Sequence, residues 1–445
     1  MRSTSLNDNS DNMGSNPPPL THLAQEIAKH ASIITTYLQS HNLPQPSFAS
    51  DSPAHPIPET DEKLSAARLA LIEATKALHA LAIGPSETTR LFAFTNLCHL
   101  GTMQVLCHFN VPQNVPLGSP ISLNELSTKT KLNEHVLGRF LRMAATNYFF
   151  VETKPGYFSH TAWSKNLATD EKMRQCIWFR HAELLPAVGK LVEAVEKYPE
   201  SDDPKQTAFA LAFGGETFFD YKESNPDNMV RFGQFVDAFA SGYVVDSPDN
   251  IARGYPWEDI GRSGDGGLVV DVGGGIGHIS VAIGKEHSQL RFLVQDFEDL
   301  RKQSESLVLK NGLMGRVKFM AHDFFNGQPE EARGASVYFL RNILHNWSDS
   351  YCQKILKLLV EAMGKDSRII ICDIVLPEAN GGMPKAQEER ARALDLTMLS
   401  MFNAKERSLE EWQALFSSVD ERLKITNVIG RPKMRMDCLI EVRLM

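Results

Sequence analysis

The sequence predicts a chain in two parts: a mainly helical N-terminal region ending in a winged helix, then an α/β region on a doubly wound parallel sheet. Three observations predict it. From Gly267 onward, short apolar runs alternate with segments of helical period. A glycine-rich turn, Gly273-Gly274-Gly275-Ile276-Gly277, stands between one such run and the segment after it. The chain closes with two further runs around Gly430-Arg431-Pro432, a hairpin that adds an antiparallel strand to a parallel sheet. At 445 residues the chain is too long for one ordinary core and suits two domains and a tail.

Composition narrows the functional classes. A hydrophobic fraction of 42% with 22% charged residues is that of a globular protein, not of a disordered or membrane-spanning one. The net charge of -8 supplies no global attraction to nucleic acid or to an anionic membrane. No apolar run approaches the ~20 residues a membrane helix needs. Residues 1–19 are polar and lack the apolar core of a secretory signal, so a cytoplasmic protein is expected. Six scattered cysteines form no CxxC pair and no Cys/His cluster, which predicts free thiols and no metal site.

The Ser-, Asn- and Pro-rich residues 1–19 are expected to be a disordered tail. Residues 20–168 read as the helical and winged-helix domain. Leu20, Ala24, Ile27, Ile34 and Leu38 recur at near-helical spacing, and a Pro/Ser-rich stretch over 43–58 separates them from a helix over 61–82. Helices outside a compact core bury their apolar faces elsewhere, and a second copy of the chain, a homodimer, is the expected cover. Ile121 to Leu126 opens a short helix, Asn133 caps the next, and 148–152 with 157–160 flank the turn Lys154-Pro155-Gly156 as a wing. Such a module either binds DNA or serves as a scaffold, and the acidic balance favours the scaffold. Residues 169–257 form a helical linker whose aromatics, among them Trp178, Phe179, Phe218 and Phe219, are mostly core, with a subset available to line a flat apolar pocket.

In residues 258–445, strands are expected over 268–272, 290–295, 317–320, 336–340, 368–376, 423–429 and 436–444. Helices are expected over 278–287, 349–363 and 409–419. The glycine turn follows the first strand, so its backbone can approach a ligand at a helix N-terminus. Its spacing, Gly273-x-Gly275-x-Gly277, is not the G-x-G-x-x-G that fits a pyrophosphate, and nicotinamide-binding domains do not usually end in a hairpin. Both features point to S-adenosylmethionine. Asp271, two residues before the first glycine, is placed to take the donor's cationic amino end. Asp296 closes the next strand, where a carboxylate can accept both ribose hydroxyls.

The second constellation is Leu340-Arg341-Asn342-Ile343-Leu344-His345-Asn346-Trp347-Ser348-Asp349. It follows a strand, so His345 is expected at the carboxyl edge of the sheet, where a neutral imidazole can remove a phenolic proton. Asp373, at the end of the next strand, and Glu406, in Lys405-Glu406-Arg407, are two acids of which either can orient the ring.

With these residues the chain resembles the plant-type small-molecule O-methyltransferases of the caffeate O-methyltransferase group, and especially fungal members acting on polyketide phenols. The resemblance covers nearly all of the chain after residue 60. Its specific parts are Val270 to His278, Val294-Gln295-Asp296, Leu344-His345-Asn346-Trp347-Ser348-Asp349 and Lys405-Glu406-Arg407-Ser408. It implies a Rossmann-like methyltransferase sheet and a winged helix used for dimerisation and for roofing the pocket. His345 would be the base, with Asp373 and Glu406 as flanking acids. Gly273, Gly275, Gly277, Asp296, Asp323, Phe324 and Arg341 would contact the donor, Asp323 at the adenine. His160, Asn346, Trp347 and Met398 would meet the acceptor, a small aromatic or polyketide-type molecule. Two positions depart from the family pattern: Asn346 replaces an Asp, and Asp373 replaces a Glu longer by one methylene. They leave open a second reaction class, a pericyclase or dehydratase that keeps the donor as a bound cation. A DNA-binding regulator is disfavoured by charge, and a dehydrogenase by the glycine spacing.

Overall fold

The runs 268–272, 337–341 and 368–376 become strands with both faces covered, which is why they read as continuous hydrophobic stretches and do not alternate. A computed structural model of the chain describes residues 20–58, 61–225, 228, 231–233, 235, 248–261, 266–377, 383–430 and 437–445. The expected disordered tail and the Arg431-Pro432 part of the terminal turn lie outside them. The chain divides into two compact units: one runs to Thr102 and includes Val115–Lys165, and the other comprises Met103–Asn114 and Asn166–Met445.

In the first unit, the helices Leu20–Ser40 and Glu62–Ile83 pack through Ile34, Leu38, Leu64 and Ala67. The Asp61 side chain accepts from the Leu64 amide and caps the second helix. The winged helix holds a three-stranded sheet ordered β1-β3-β2, with β1 Ile121–Ser122, β2 Val151–Lys154 and β3 Tyr157–Ser159. Two expectations shift here. Ile121 and Ser122 pair with β3, and the helix starts at Leu123 with Ser122 as its cap. The wing strand begins at Val151 and not at Tyr148, because Tyr148 and Phe150 sit at φ 63° and 66°, left-handed geometry that breaks an extended run. Asn133 does cap the helix Glu134–Ala145.

The second unit carries the mixed sheet. Its strands are β4 Leu268–Val272, β5 Arg291–Asp296, β6 Val317–Ala321, β7 Val337–Arg341, β8 Arg368–Leu376, β9 Arg407–Ser408, β10 Leu423–Ile429 and β11 Asp437–Leu444. The order is β10-β11-β8-β7-β4-β5-β6, with the short β9 parallel to β8. β4 pairs in parallel with β5 and β7, and β11 runs antiparallel to both β8 and β10. Val270, Tyr338, Ile371 and Trp412 belong to one core layer, and Val269, Phe292, Phe339 and Trp257 to the other. From β4 the chain moves outward through β5 and β6, then returns to β7 on the other side. The crevice above the carboxyl ends of β4 and β7 is therefore the topological switch point where open α/β sheets bind ligands. Two helices not anticipated from the sequence, Arg301–Lys310 and Lys385–Phe402, complete the unit.

Candidate active site

The glycine turn leaves β4 at this switch point with Gly273, Gly275 and Gly277 at φ 68°, 60° and 86°. At φ 68° Gly273 holds a backbone conformation that a side chain would strain, and a Cβ there would also crowd Ile343 Cδ1 at 2.5 Å, where the turn passes under the segment after β7. A Cβ on Gly275 would meet nothing within 4 Å, which leaves that face of the turn open to a ligand. Asp296, at the end of β5, braces the turn: its Oδ2 accepts from the Gly275 amide at 2.7 Å and its Oδ1 from the Phe297 amide at 2.8 Å. Each oxygen keeps a second lone pair for a hydroxyl. Asp271 is buried beneath the turn, where the Ser280 hydroxyl donates to its Oδ2 at 2.6 Å. Burial pushes its carboxyl up to about 6, reinforced by the nearby Asp296 charge and opposed by Ser280 and Arg341. Burial also raises the Asp296 carboxyl above its ordinary range. Two acids held above their usual range by desolvation, below an open backbone, suit a cationic ligand carrying hydroxyls.

Asp323 is exposed and folds onto its own loop, accepting from the Phe325 amide and from Asn326 Nδ2, both at 2.9 Å. Its neighbour Phe324 closes on the glycine turn, with Cε1 3.7 Å from where a Gly273 Cβ would stand. Arg341 ends β7, half-buried, with its charge felt by Asp271.

His345 sits in the 3-10 turn Leu344–Asn346 that follows β7. The turn is entered through Asn342 at φ 54°, whose amide donates to Asp373 Oδ1 at 2.8 Å. Asn346 Nδ2 returns to the Asn342 carbonyl at 2.9 Å. The two departures from the family pattern thus brace the entry to this turn. β8 has the expected bounds, 368–376, and Asp373 lies inside it opposite Cys438, three residues before its end and not at the end itself. Of the two candidate acids, Glu406 is the one set against the ring: its Oε1 lies 2.7 Å from His345 Nδ1, and both side chains are buried. The Glu406 amide donates to Asp395 Oδ1 at 2.9 Å, and Glu406 Oε2 has no hydrogen-bond partner among the described residues. A carboxylate on Nδ1 fixes the tautomer, so Nε2 is the nitrogen equipped to accept a proton.

Arg407, which sequence reasoning passed over as a site residue, holds this turn at both ends. It is fully buried and donates from Nη1 to the Leu344 carbonyl at 3.0 Å and from Nη2 to the Trp347 carbonyl at 2.9 Å. Its Nε and Nη2 also reach Asp349 Oδ1 at 2.9 and 2.7 Å, and its guanidinium lies 5.1 Å from the Trp412 ring centroid. The only signal was its place directly after Glu406.

Trp347 stacks with Phe219 and with Tyr351, centroids 5.7 and 5.6 Å away, and meets Phe325 edge-on at 4.7 Å. Met398 is buried with Phe218 and Phe402 in the adjoining apolar cluster. The second unit therefore holds the glycine turn, Asp271, Asp296, Asp323, Phe324, Arg341, His345, Asn346, Trp347, Asp373, Met398 and Glu406. His160 belongs to the first unit, where its Nδ1 meets Ser164 Oγ at 3.0 Å and its Nε2 the Val115 carbonyl at 3.1 Å. Among the described residues no His, Cys, Asp and Glu group is arranged to hold a metal ion, and no helix is long and apolar enough to cross a membrane.

Known proteins resemble this chain in sequence and in fold. Residues 200–420 match the model of an O-methyltransferase domain. The O-methyltransferase bik3 of Gibberella fujikuroi is 32% identical to this chain over 96% of its length and 93% of that protein's. Among solved structures, OxaC in complex with SAH and oxaline superposes with a TM-score of 0.76 at 22% identity, covering 96% of this chain and 99% of its own. LepI in complex with SAM gives a TM-score of 0.74 at 20% identity, covering 95% and 100%. The two superpositions bear on the fold.

Proposed function

The chain belongs to the O-methyltransferase family, enzymes that take their methyl group from S-adenosylmethionine, and from that premise we propose that it methylates a phenolic or enolic oxygen of a small polyketide-type metabolite with His345 as general base. The observation that carries this reading is the buried His345–Glu406 pair one strand-end away from the glycine turn. When bound, S-adenosylmethionine supplies an electrophilic methyl on a cationic sulfur. The Gly275 face and the lone pairs of Asp296 suit its ribose, the Asp271 charge its amino end, and Asp323, Phe324 and Arg341 the rest of it.

On the acceptor side, the proton leaves the hydroxyl for His345 Nε2 as the oxygen becomes the nucleophile. Glu406 stabilises the imidazolium that forms, and Arg407 keeps the turn from moving under it. Trp347 and Met398 offer an apolar wall to a flat ring, and Asn346 stiffens the turn between. Phe94 and Leu97, 75% and 62% exposed and one helical turn apart on the helix Pro85–His108, are the face on which a second copy is proposed to dock as a homodimer.

His345→Ala tests the reading with 1-hydroxyanthraquinone as acceptor. Release of S-adenosylhomocysteine should stop, while S-adenosylmethionine binding by calorimetry stays within about twofold. Unchanged turnover in that variant contradicts it. Product formed with the donor unconsumed would favour the pericyclase or dehydratase reading.

A further inference from the structure

The helix Glu171–Phe179 continues not as α but as a five-residue π-helix, Arg180–Leu184, before α geometry resumes at Leu185–Val188. Such an insertion is rare, and where it persists it is frequently at a functional site. Here it turns Glu183 inward, where its Oε1 lies 2.5 Å from Lys222 Nζ of the helix Phe218–Ser224. Both side chains are 0% exposed. Lys222 also donates to the Asn228 carbonyl at 3.3 Å. The rings of Trp178, Phe179, Phe218 and Phe232 surround its ammonium at 6.0, 5.6, 5.0 and 5.2 Å. Glu183 Oε2 has no hydrogen-bond partner among the described residues.

This is a poor device for stability. Taking both charges out of water is repaid only when every polar atom is satisfied, and an apolar pair of the same volume generally serves as well. What the pair does supply is direction. Rings slide on one another at little cost, whereas one short ion pair admits a single register between the π-helix and the helix Phe218–Ser224. That register matters for Phe218 and Phe219, which are consecutive, share Phe402 and otherwise meet different rings. Phe218 packs into the cage one turn before Lys222, while Phe219 stacks on Trp347 at 5.7 Å with an interplanar angle of 15°. Trp347 is two residues from His345 and also stacks with Tyr351 at 5.6 Å.

We propose that Glu183 and Lys222 are positioning residues that set the Phe219–Trp347–Tyr351 row, and through it make the site prefer flat fused-ring phenols to single-ring ones. The proposal rests on the methyl-transfer reading only for the identity of the acceptor.

The test is the double variant Glu183→Leu/Lys222→Met, which keeps the volume and removes both charges. Binding of 1-hydroxyanthraquinone and of phenol is read by tryptophan quenching, S-adenosylhomocysteine binding by calorimetry, and KM and kcat separately where turnover occurs. A folded variant should keep its S-adenosylhomocysteine affinity and its affinity for phenol, yet bind 1-hydroxyanthraquinone about tenfold more weakly. A folded variant that retains the wild-type ratio between the two acceptors overturns the proposal, as does a wild type with no preference for the fused-ring compound. If the double variant does not fold, Glu183→Gln, which preserves shape, should lower the ratio about threefold, and an unchanged ratio overturns the proposal equally. A wild type that binds 1-hydroxyanthraquinone without releasing S-adenosylhomocysteine defeats the methyl-transfer reading, while the binding ratio still decides this one.

Discussion

Glu406→Gln removes one charge and almost no volume beside the ring that is proposed to take the acceptor's proton. With Oε1 2.7 Å from His345 Nδ1, the imidazolium and carboxylate formed in the transition state have charge centres about 4 Å apart. At an effective dielectric of about 20 their attraction is about 4 kcal/mol, equivalent to roughly a thousandfold in rate. The amide can also turn its NH2 toward Nδ1, which then accepts and leaves the ring proton on Nε2, the atom that has to receive one. The assay is the initial rate of S-adenosylhomocysteine release with saturating 1-hydroxyanthraquinone from pH 6 to 9, alongside donor binding by calorimetry. The expected result is a kcat lower by about a hundredfold to a thousandfold with donor affinity within about twofold. The fold should survive, because the carboxylate oxygen turned away from His345 has no hydrogen-bond partner among the described residues to lose. A kcat within about threefold of wild type would refute the claim that His345 works against this carboxylate.

Other perturbations follow from the same contacts. Arg407→Leu removes the guanidinium donor from the Leu344 and Trp347 carbonyls and the cation paired with Asp349 and should cost about 3 kcal/mol in urea unfolding; Arg407→Lys, lacking the planar fork, should restore little of it. The Asp271 carboxyl, raised to about 6 from an ordinary value of about 3.9, favours the protonated form in the fold. Its cost is absent below about pH 4 and complete above about pH 6, reaching about 3 kcal/mol. Relative to Asp271→Asn, the wild type should therefore lose stability across that window as pH rises, and saturating S-adenosylmethionine should flatten the slope; parallel curves for the two proteins would contradict this. Phe94→Glu/Leu97→Glu should convert a dimer to a monomer in sedimentation, and an unchanged mass would remove that face as the interface.

Strands buried on both faces were legible because their apolar runs are uninterrupted, as in Val269-Val270 and Ile369-Ile370-Ile371. The helix Arg301–Lys310 was not, since only Ser304 and Val308 of its residues are buried and no apolar stripe forms. Lys385–Phe402 hides for a related reason: it opens on charged residues and gathers Met398, Met401 and Phe402 at its far end. The left-handed geometry of Tyr148 and Phe150 contradicts what bulky residues prefer and has no local signature. At the site, spacing located His345 and both acids but left Asp373 and Glu406 equivalent. Pairing separates them: β9 beside β8 at Val375 carries Glu406 to the ring, while Asp373 faces the Asn342 amide. Nothing in one dimension marks Arg407, Glu183 and Lys222 as buried, and only the packing reveals that all three are enclosed.

Whether the methyl group leaves sulfur for an oxygen of the acceptor is decided by incubating the protein with methyl-labelled S-adenosylmethionine and 1-hydroxyanthraquinone, then locating the label by mass spectrometry. Methyl transfer gives one labelled O-methyl group in the product for each S-adenosylhomocysteine released, and neither with His345→Ala. Product that accumulates while all the label stays on sulfur would contradict it.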